Sequence, residues 1–244
     1  MAAKIEKISA KSALKRSQLK GVDYFLNPYS ACANGCRYCD TSSSGYGDTW
    51  GQGVNIIKVN CAEVLRRELP NAERGLVRIS ANADPYQPVE GRYKITRSCM
   101  EALLPYQFPV ELFTKSPLIL RDVDVLSRLE SLEVGITITT DSDIVRRAFE
   151  PKASPIAVRI NILKTLHEAG INTCVKIDPM LPMNPEKLAE KVRPYTNKVI
   201  INHSNSVSHK NLSLYKELGY SQWNDKNYVK DILERLKESL EGLI

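Results

Sequence analysis

Cys32-Ala33-Asn34-Gly35-Cys36-Arg37-Tyr38-Cys39 sets three cysteines within eight residues, in a CxxxCxxC spacing. Three thiolates this close reach one metal centre only if the chain curls around it, and Gly35 permits that curl. A structural zinc site is closed by four protein ligands. A fourth is hard to supply here: the first histidine is His167, and Cys61 lies across a long loop. Three cysteine ligands suit a four-iron cluster, which keeps one iron open. The other cysteines, Cys61, Cys99 and Cys174, are scattered in apolar or helix-like stretches and read as small core residues. A secreted disulfide scaffold would be short and Cys-dense, so the expected compartment is the reducing cytoplasm.

Outward from this loop, short apolar runs alternate with amphipathic stretches. Strands are predicted at residues 22–26, 76–80, 110–115, 134–140, 171–177 and 198–202. Helices are predicted at 61–69, with Asn60 as its cap, at 96–104, with Thr96 as its cap, and at 118–129, 155–169, 185–192, 209–218 and 225–242. Alternating strands and helices argue for parallel strands joined by helical crossovers, either as an open barrel or as a doubly wound sheet. Eight such units close a full barrel. The expected class is therefore α/β, a partial (open) TIM-type barrel of about six βα units with a basic N-terminal arm and a helical C-terminal extension. The expected divisions are an arm at 1–21, a core at 22–205 and the extension at 206–244. In such folds chemistry collects at the C-terminal ends of the strands. There lie the cysteine loop, Asp84-Pro85-Tyr86-Gln87-Pro88, Lys115, Thr139-Thr140 and Asp178-Pro179-Met180-Leu181-Pro182.

Of the 244 residues, 43% are hydrophobic and 25% charged, which excludes disordered, collagenous and coiled-coil chains. No apolar run nears the ~20 residues of a membrane span, so no membrane partner is expected. The net charge is +6, and residues 1–20 carry +5 of it through Lys4, Lys7, Lys11, Lys15, Arg16 and Lys20 against Glu6. This stretch lacks the apolar segment of a secretory signal. It reads either as a solvated leader or as a phosphate-contacting arm. Tyr46 and Trp50, in a Gly-rich loop, could cover a site or stack a base. His203 and His209 read as surface residues.

An iron with a free position can chelate the amino and carboxylate groups of S-adenosylmethionine (SAM). One electron then breaks the sulfonium C–S bond and yields a 5′-deoxyadenosyl radical. With Tyr38 before its last cysteine, the loop resembles that of the radical SAM superfamily. Three further stretches, Asp23-Tyr24-Phe25-Leu26-Asn27-Pro28-Tyr29, Asp84-Pro85-Tyr86-Gln87-Pro88-Val89-Glu90 and Phe149-Glu150-Pro151, resemble its spore photoproduct lyase-like group. The resemblance implies a [4Fe-4S] cluster on Cys32, Cys36 and Cys39, with SAM bound to it. It places Tyr38 near the adenine, Lys115 on the SAM carboxylate, and Thr137 (or Thr139, one side-chain repeat on) against SAM. Arg159 would reach the carboxylate or ribose, and Met180-Leu181-Pro182 would wall the adenine. Asp84 and Tyr86 are the candidate catalytic residues, although Asp-Pro also starts turns. The lyase position that returns a hydrogen atom from cysteine falls at about Ala81, and a SAM-contacting serine falls on Ala83. The resemblance also implies a nucleic acid or nucleotide substrate and an electron donor such as a flavodoxin or ferredoxin. Two alternatives stand beside it: a radical SAM enzyme acting on a protein or small molecule, and a non-catalytic iron–sulfur or zinc module.

Overall fold

The structure, a computed structural model, describes residues 4–39, 54–202 and 212–244. Tyr46, Trp50, His203 and His209 lie outside these. In chain order the elements are β1 (Lys4–Ile8), β2 (Leu14–Arg16), β3 (Tyr24–Leu26), β4 (Val54–Lys58), α1 (Cys61–Glu68), β5 (Val77–Ile79), α2 (Glu90–Tyr93) and α3 (Ile95–Leu103). There follow β6 (Val110–Thr114), α4 (Val123–Leu126), β7 (Leu132–Thr137), α5 (Asp143–Phe149), α6 (Ile156–Glu168), β8 (Thr173–Ile177), α7 (Pro185–Val192), β9 (Lys198–Ile201), α8 (Leu212–Glu217) and α9 (Lys226–Ser239).

Seven strands form one sheet in the order β2-β3-β5-β6-β7-β8-β9. From β3 to β9 every pairing is parallel, giving the six parallel strands of an open barrel. β2 adds antiparallel to β3 at the edge, and β1 pairs separately with β4. Side chains alternate across the sheet. Val77, Ile79, Leu112, Val134, Ile136, Val175 and Ile177 are fully buried in the core. The intervening residues form a polar lumen, where Arg78 Nε bonds Glu111 Oε2 at 2.6 Å and Lys198 Nζ bonds Glu133 Oε1 at 3.0 Å. One layer up, Phe113 and Gly135 are register partners. A Cβ on Gly135 would stand 2.2 Å from the Phe113 ring, so the missing side chain is what lets that ring lie across the lumen.

The basic N-terminal stretch differs from its expectation as an arm, because it supplies β1 and β2. Side chains from α1 and its approach hold it down. Glu68 accepts from Ala13 N at 3.1 Å and Leu14 N at 2.8 Å. Asn60, expected to cap α1, instead accepts from Ala10 N at 2.7 Å and donates to Ala10 O at 3.1 Å. Thr96 does not cap its helix; its hydroxyl donates to Pro85 O at 2.7 Å. The helix predicted at 118–129 is a 3-10 segment, Pro117–Asp122, followed by the short α4, and Arg121 within it donates to Glu90 and Asp122. The C-terminal helices dock on the barrel through buried Trp223 and Leu236, and Phe149 packs against Tyr215 with ring centroids 5.2 Å apart. Among the described residues no helix is long and apolar enough to cross a membrane.

Candidate active site at the strand ends

The cysteine loop leaves β3 and is fastened by the turn that follows β5. Gln87, fully buried, accepts from Ala33 N at 2.9 Å through Oε1 and donates from Nε2 to Ala31 O at 2.9 Å. Asp84 fills both oxygens. Oδ1 accepts from Thr114 Oγ1 at 2.6 Å and Tyr86 N at 2.9 Å. Oδ2 accepts from Asn34 Nδ2 at 3.1 Å and Lys115 N at 2.9 Å. This one carboxylate thus joins the cysteine loop, its own turn and the end of β6. On the far side Arg37 N donates to Phe149 O at 2.8 Å. Gly35 takes φ +60°, a conformation that L side chains rarely adopt.

Cys32, Cys36 and Cys39 line one cleft of about 620 Å³, whose walls include Asp84, Lys115 and Thr137. Burial, with Asp84 beside it, pushes the Cys32 thiol up to about 12, and burial pushes Cys36 up to about 11. Three thiols at one mouth are soft donors that suit a metal group. Among the described residues no three His, Cys, Asp or Glu side chains converge where a single ion would take them. Thiolates on one zinc ion stand within about 4 Å of each other. Three cysteines of one loop at one mouth fit a multi-iron cluster that needs three protein thiolates.

Behind the mouth lies a buried charge cluster centred on Glu150, which is fully buried at the end of α5. Arg159 Nη2 pairs with Glu150 Oε2 at 2.5 Å, and Lys115 Nζ stands 3.8 Å from Oε1. Tyr38 donates its hydroxyl to the same oxygen, and Thr139 Oγ1 donates to it at 3.2 Å. Burial opposes the charge on Glu150, but Lys115 and Arg159 hold its carboxyl below the ordinary range. Burial opposes the Lys115 charge too, and Cys36 and Glu150 carry its pKa above the usual lysine value.

The sequence candidates therefore divide. The three cysteines, Tyr38, Asp84, Lys115 and Thr137 share the cleft. Thr139 and Arg159 are buried behind it; Arg159 braces Glu150 and donates to Thr137 O at 3.1 Å. Met180 sits in the hydrophobic core, and its neighbours Asp178 and Pro179 face the cleft instead. Tyr86 is displaced from its expected catalytic place. Its backbone N is taken by Asp84, which sends the ring behind the loop toward Asp122, Glu90 and Arg121. Glu150 and Gln87 were given no role from the sequence. Their one signal was membership in the Phe149-Glu150-Pro151 and Asp84–Pro88 stretches.

The family profile of the Radical SAM superfamily matches residues 26–194. An uncharacterised protein of Methanocaldococcus jannaschii is 28% identical over 98% of this chain and 96% of its own length. One of Mycobacterium tuberculosis is 28% identical over 65% of this chain and 50% of its own. Among solved structures, a spore photoproduct lyase complexed with dinucleoside spore photoproduct superposes with TM-score 0.71 at 11% identity, over 98% of this chain and 79% of the other. SuiB of Streptococcus suis, bound to its precursor peptide SuiA, gives TM-score 0.58 at 14% identity, over 88% and 46%. At these identities the likeness to solved structures is one of fold.

Proposed function

The chain belongs to the radical SAM superfamily and is an enzyme of that class, with a [4Fe-4S] cluster and SAM as its cofactors; from that premise we propose that it takes a hydrogen atom from a nucleic acid or nucleotide. Cys32, Cys36 and Cys39 would hold the cluster. When bound, the cluster supplies the electron that cleaves SAM to methionine and a 5′-deoxyadenosyl radical. The chain's part is to bind, orient and shield. Lys115 presents its ammonium to the SAM carboxylate, Thr137 contacts SAM from the β7 end, and Tyr38 borders the adenine side. Asp84 acts by holding the cysteine loop to β6. Thr139 and Arg159 act through Glu150, and the chain segment at Pro179 replaces Met180 as the wall. The electron comes from a flavodoxin- or ferredoxin-type donor.

The observation that carries the substrate class is the course of the basic N-terminal stretch. Lys11, Lys15, Arg16 and Lys20 are exposed along β2 and its flanks, and Leu19 in their midst lines the cleft. Inside the cleft the Phe113 ring lies beside two ion-paired cations: Lys176 Nζ, 4.9 Å from its centre and 2.9 Å from Asp178, and Arg78 Cζ, 5.7 Å from its centre, with its Nε on Glu111. An exposed basic stretch beside a cleft with an aromatic floor suits a polynucleotide. The likeness to a lyase solved with a dinucleoside agrees with this.

The test is anaerobic reconstitution and reduction, followed by chromatography for 5′-deoxyadenosine and methionine with and without DNA. Binding of a labelled oligonucleotide is followed in parallel. If three phosphates are neutralised, affinity falls about 40-fold between about 50 and 200 mM salt. Replacing Lys11, Lys15 and Lys20 by Glu should flatten that slope. Absence of binding at low salt rejects the substrate class, and a colourless, iron-free protein rejects the chemistry.

A further inference from the structure

We infer that Glu150 is a positioning residue that locks the cysteine loop to Lys115 and anchors that ammonium from behind, so that its free N–H groups meet the carboxylate of SAM. This rests on the reading of Lys115 proposed above.

Four partners from four places in the chain meet one buried carboxylate. Tyr38 comes from between the second and third loop cysteines, Lys115 from the end of β6, Thr139 from beyond β7, and Arg159 from α6. Glu150 and Arg159 have fully buried side chains, and that of Lys115 is only 16% exposed. A buried charge is tolerated only when paired. Arg159 meets Glu150 Oε2 at 2.5 Å and gives its other donors to Ser154 O and Thr137 O. The Lys115 ammonium is held differently. At 3.8 Å from Glu150 it is within ion-pair range and beyond hydrogen-bond range. Its Nζ also lies 5.9 Å from the centre of the Tyr38 ring. Among the described residues no acceptor takes its three N–H groups, and Lys115 lines the cleft. Glu150 thus anchors this ammonium from behind while its donors stay available in front.

Asp84 also faces this lysine, with Oδ2 on Lys115 N at 2.9 Å, so Lys115 and Arg159 are matched by Glu150 and Asp84, and what Lys115 offers a carboxylate is its free N–H groups. Through the Tyr38 hydroxyl, the same Glu150 oxygen ties the loop that carries Cys36 and Cys39 to the Lys115 ammonium, beside the Asp84 tether between Asn34 and Lys115 N. The arrangement selects for the α-carboxylate of SAM over an otherwise identical compound without it.

The test uses the reconstituted holoenzyme and reads binding rather than turnover. Wild type, Lys115→Met, Glu150→Gln, Glu150→Asp and the Lys115→Met/Glu150→Gln double variant are compared by equilibrium dialysis with SAM and with decarboxylated SAM. Iron content and melting temperature are measured alongside. Glu150→Gln is expected to weaken SAM at least tenfold and decarboxylated SAM less than threefold, with Glu150→Asp recovering part of the loss. The double variant should bind SAM no more weakly than Lys115→Met, since both changes disable one contact. Wild-type SAM affinity in Glu150→Gln, equal losses for both compounds, or fully additive losses would overturn the inference. Should Glu150→Gln fail to hold iron, Glu150→Asp carries the comparison: a selective loss of SAM affinity supports the inference and an unselective or absent loss overturns it. A wild-type protein that holds iron and SAM while Lys115→Met changes nothing overturns the underlying reading of Lys115, a result separate from any seen with Glu150.

Discussion

Replacing Asp84 by Asn separates a chemical role for this residue from an architectural one. The substitution keeps size and shape but turns one acceptor oxygen into a donor. If the amide nitrogen takes the place of Oδ1, Thr114 can rotate its hydroxyl to accept, but Tyr86 N–H has no acceptor left. If it takes the place of Oδ2, Asn34 can flip its amide, but Lys115 N–H is stranded. Either way one backbone N–H loses its partner, at about 1–3 kcal/mol where it is buried. The surviving bonds lose their charge assistance, a further ~1 kcal/mol. The total, about 2–4 kcal/mol, corresponds in a chain of this size to a melting temperature lower by about 4–16 °C. Calorimetry on the metal-free protein checks it without the cluster's own contribution. Iron content after reconstitution should fall in step, because Asn34 and the loop lose their tether to β6. An Asp84→Asn protein that melts as wild type and holds full iron, yet yields no 5′-deoxyadenosine, would refute the architectural account and return Asp84 to the chemistry.

Gly135→Ala places a methyl 2.2 Å from Phe113 Cδ1 and 3.0 Å from Cys174 Sγ. Overpacking of this kind costs about 1–3 kcal/mol, and calorimetry should show it; an unchanged melting temperature would mean that the Phe113 ring moves freely. At the start of α5, Asp143 accepts from Arg146 Nη2 at 2.8 Å and from Ile156 N at 3.2 Å, and the Arg146 guanidinium holds its carboxyl far below the usual range. A depressed carboxyl stabilises the fold above its unfolded pKa, near 4, and loses that contribution as pH falls toward its folded value. Asp143→Asn should therefore melt lower than wild type at neutral pH, and the gap should narrow below about pH 4. A gap independent of pH would exclude the ionic origin.

The barrel was legible because each parallel strand is an apolar run, such as Val134-Gly135-Ile136, between helix-compatible stretches. The polar lumen was less so. Arg78, Glu111, Glu133, Lys176 and Lys198 read singly as solvated charges, and only the register of neighbouring strands pairs Arg78 with Glu111. β2 escaped notice because it is three residues long and exists by pairing with β3. A pairing between distant segments leaves no periodicity in either. Tyr86 shows what a short stretch hides: Asp84 accepts from its backbone N, and its ring is fully buried rather than in the cleft beside Asp84. Glu150 was hidden by distance. A glutamate near two arginines at a helix end has the look of a solvated residue. Only the fold brings Lys115, 35 positions earlier, to its carboxylate.

The mouth of the cleft is built so that no cysteine is positioned by its own loop alone. Gly35 lets the chain curl, but a left-handed glycine lowers the cost of a bend without choosing its direction. Direction comes from outside: Gln87 grips residues on both sides of Cys32, Asp84 grips Asn34, Phe149 O takes Arg37 N, and Glu150 takes Tyr38. These anchors hang from β5, β6 and α5, the elements that also present Asp84, Lys115 and Glu150 to the cleft. A loop tethered this way has less to order when a metal binds. On the proposed reading the Glu150 tether links cluster retention to SAM affinity: a change at Glu150 would loosen both Tyr38 and Lys115, whereas one at Gln87 would loosen the loop around Cys32 alone, and neither residue would touch iron.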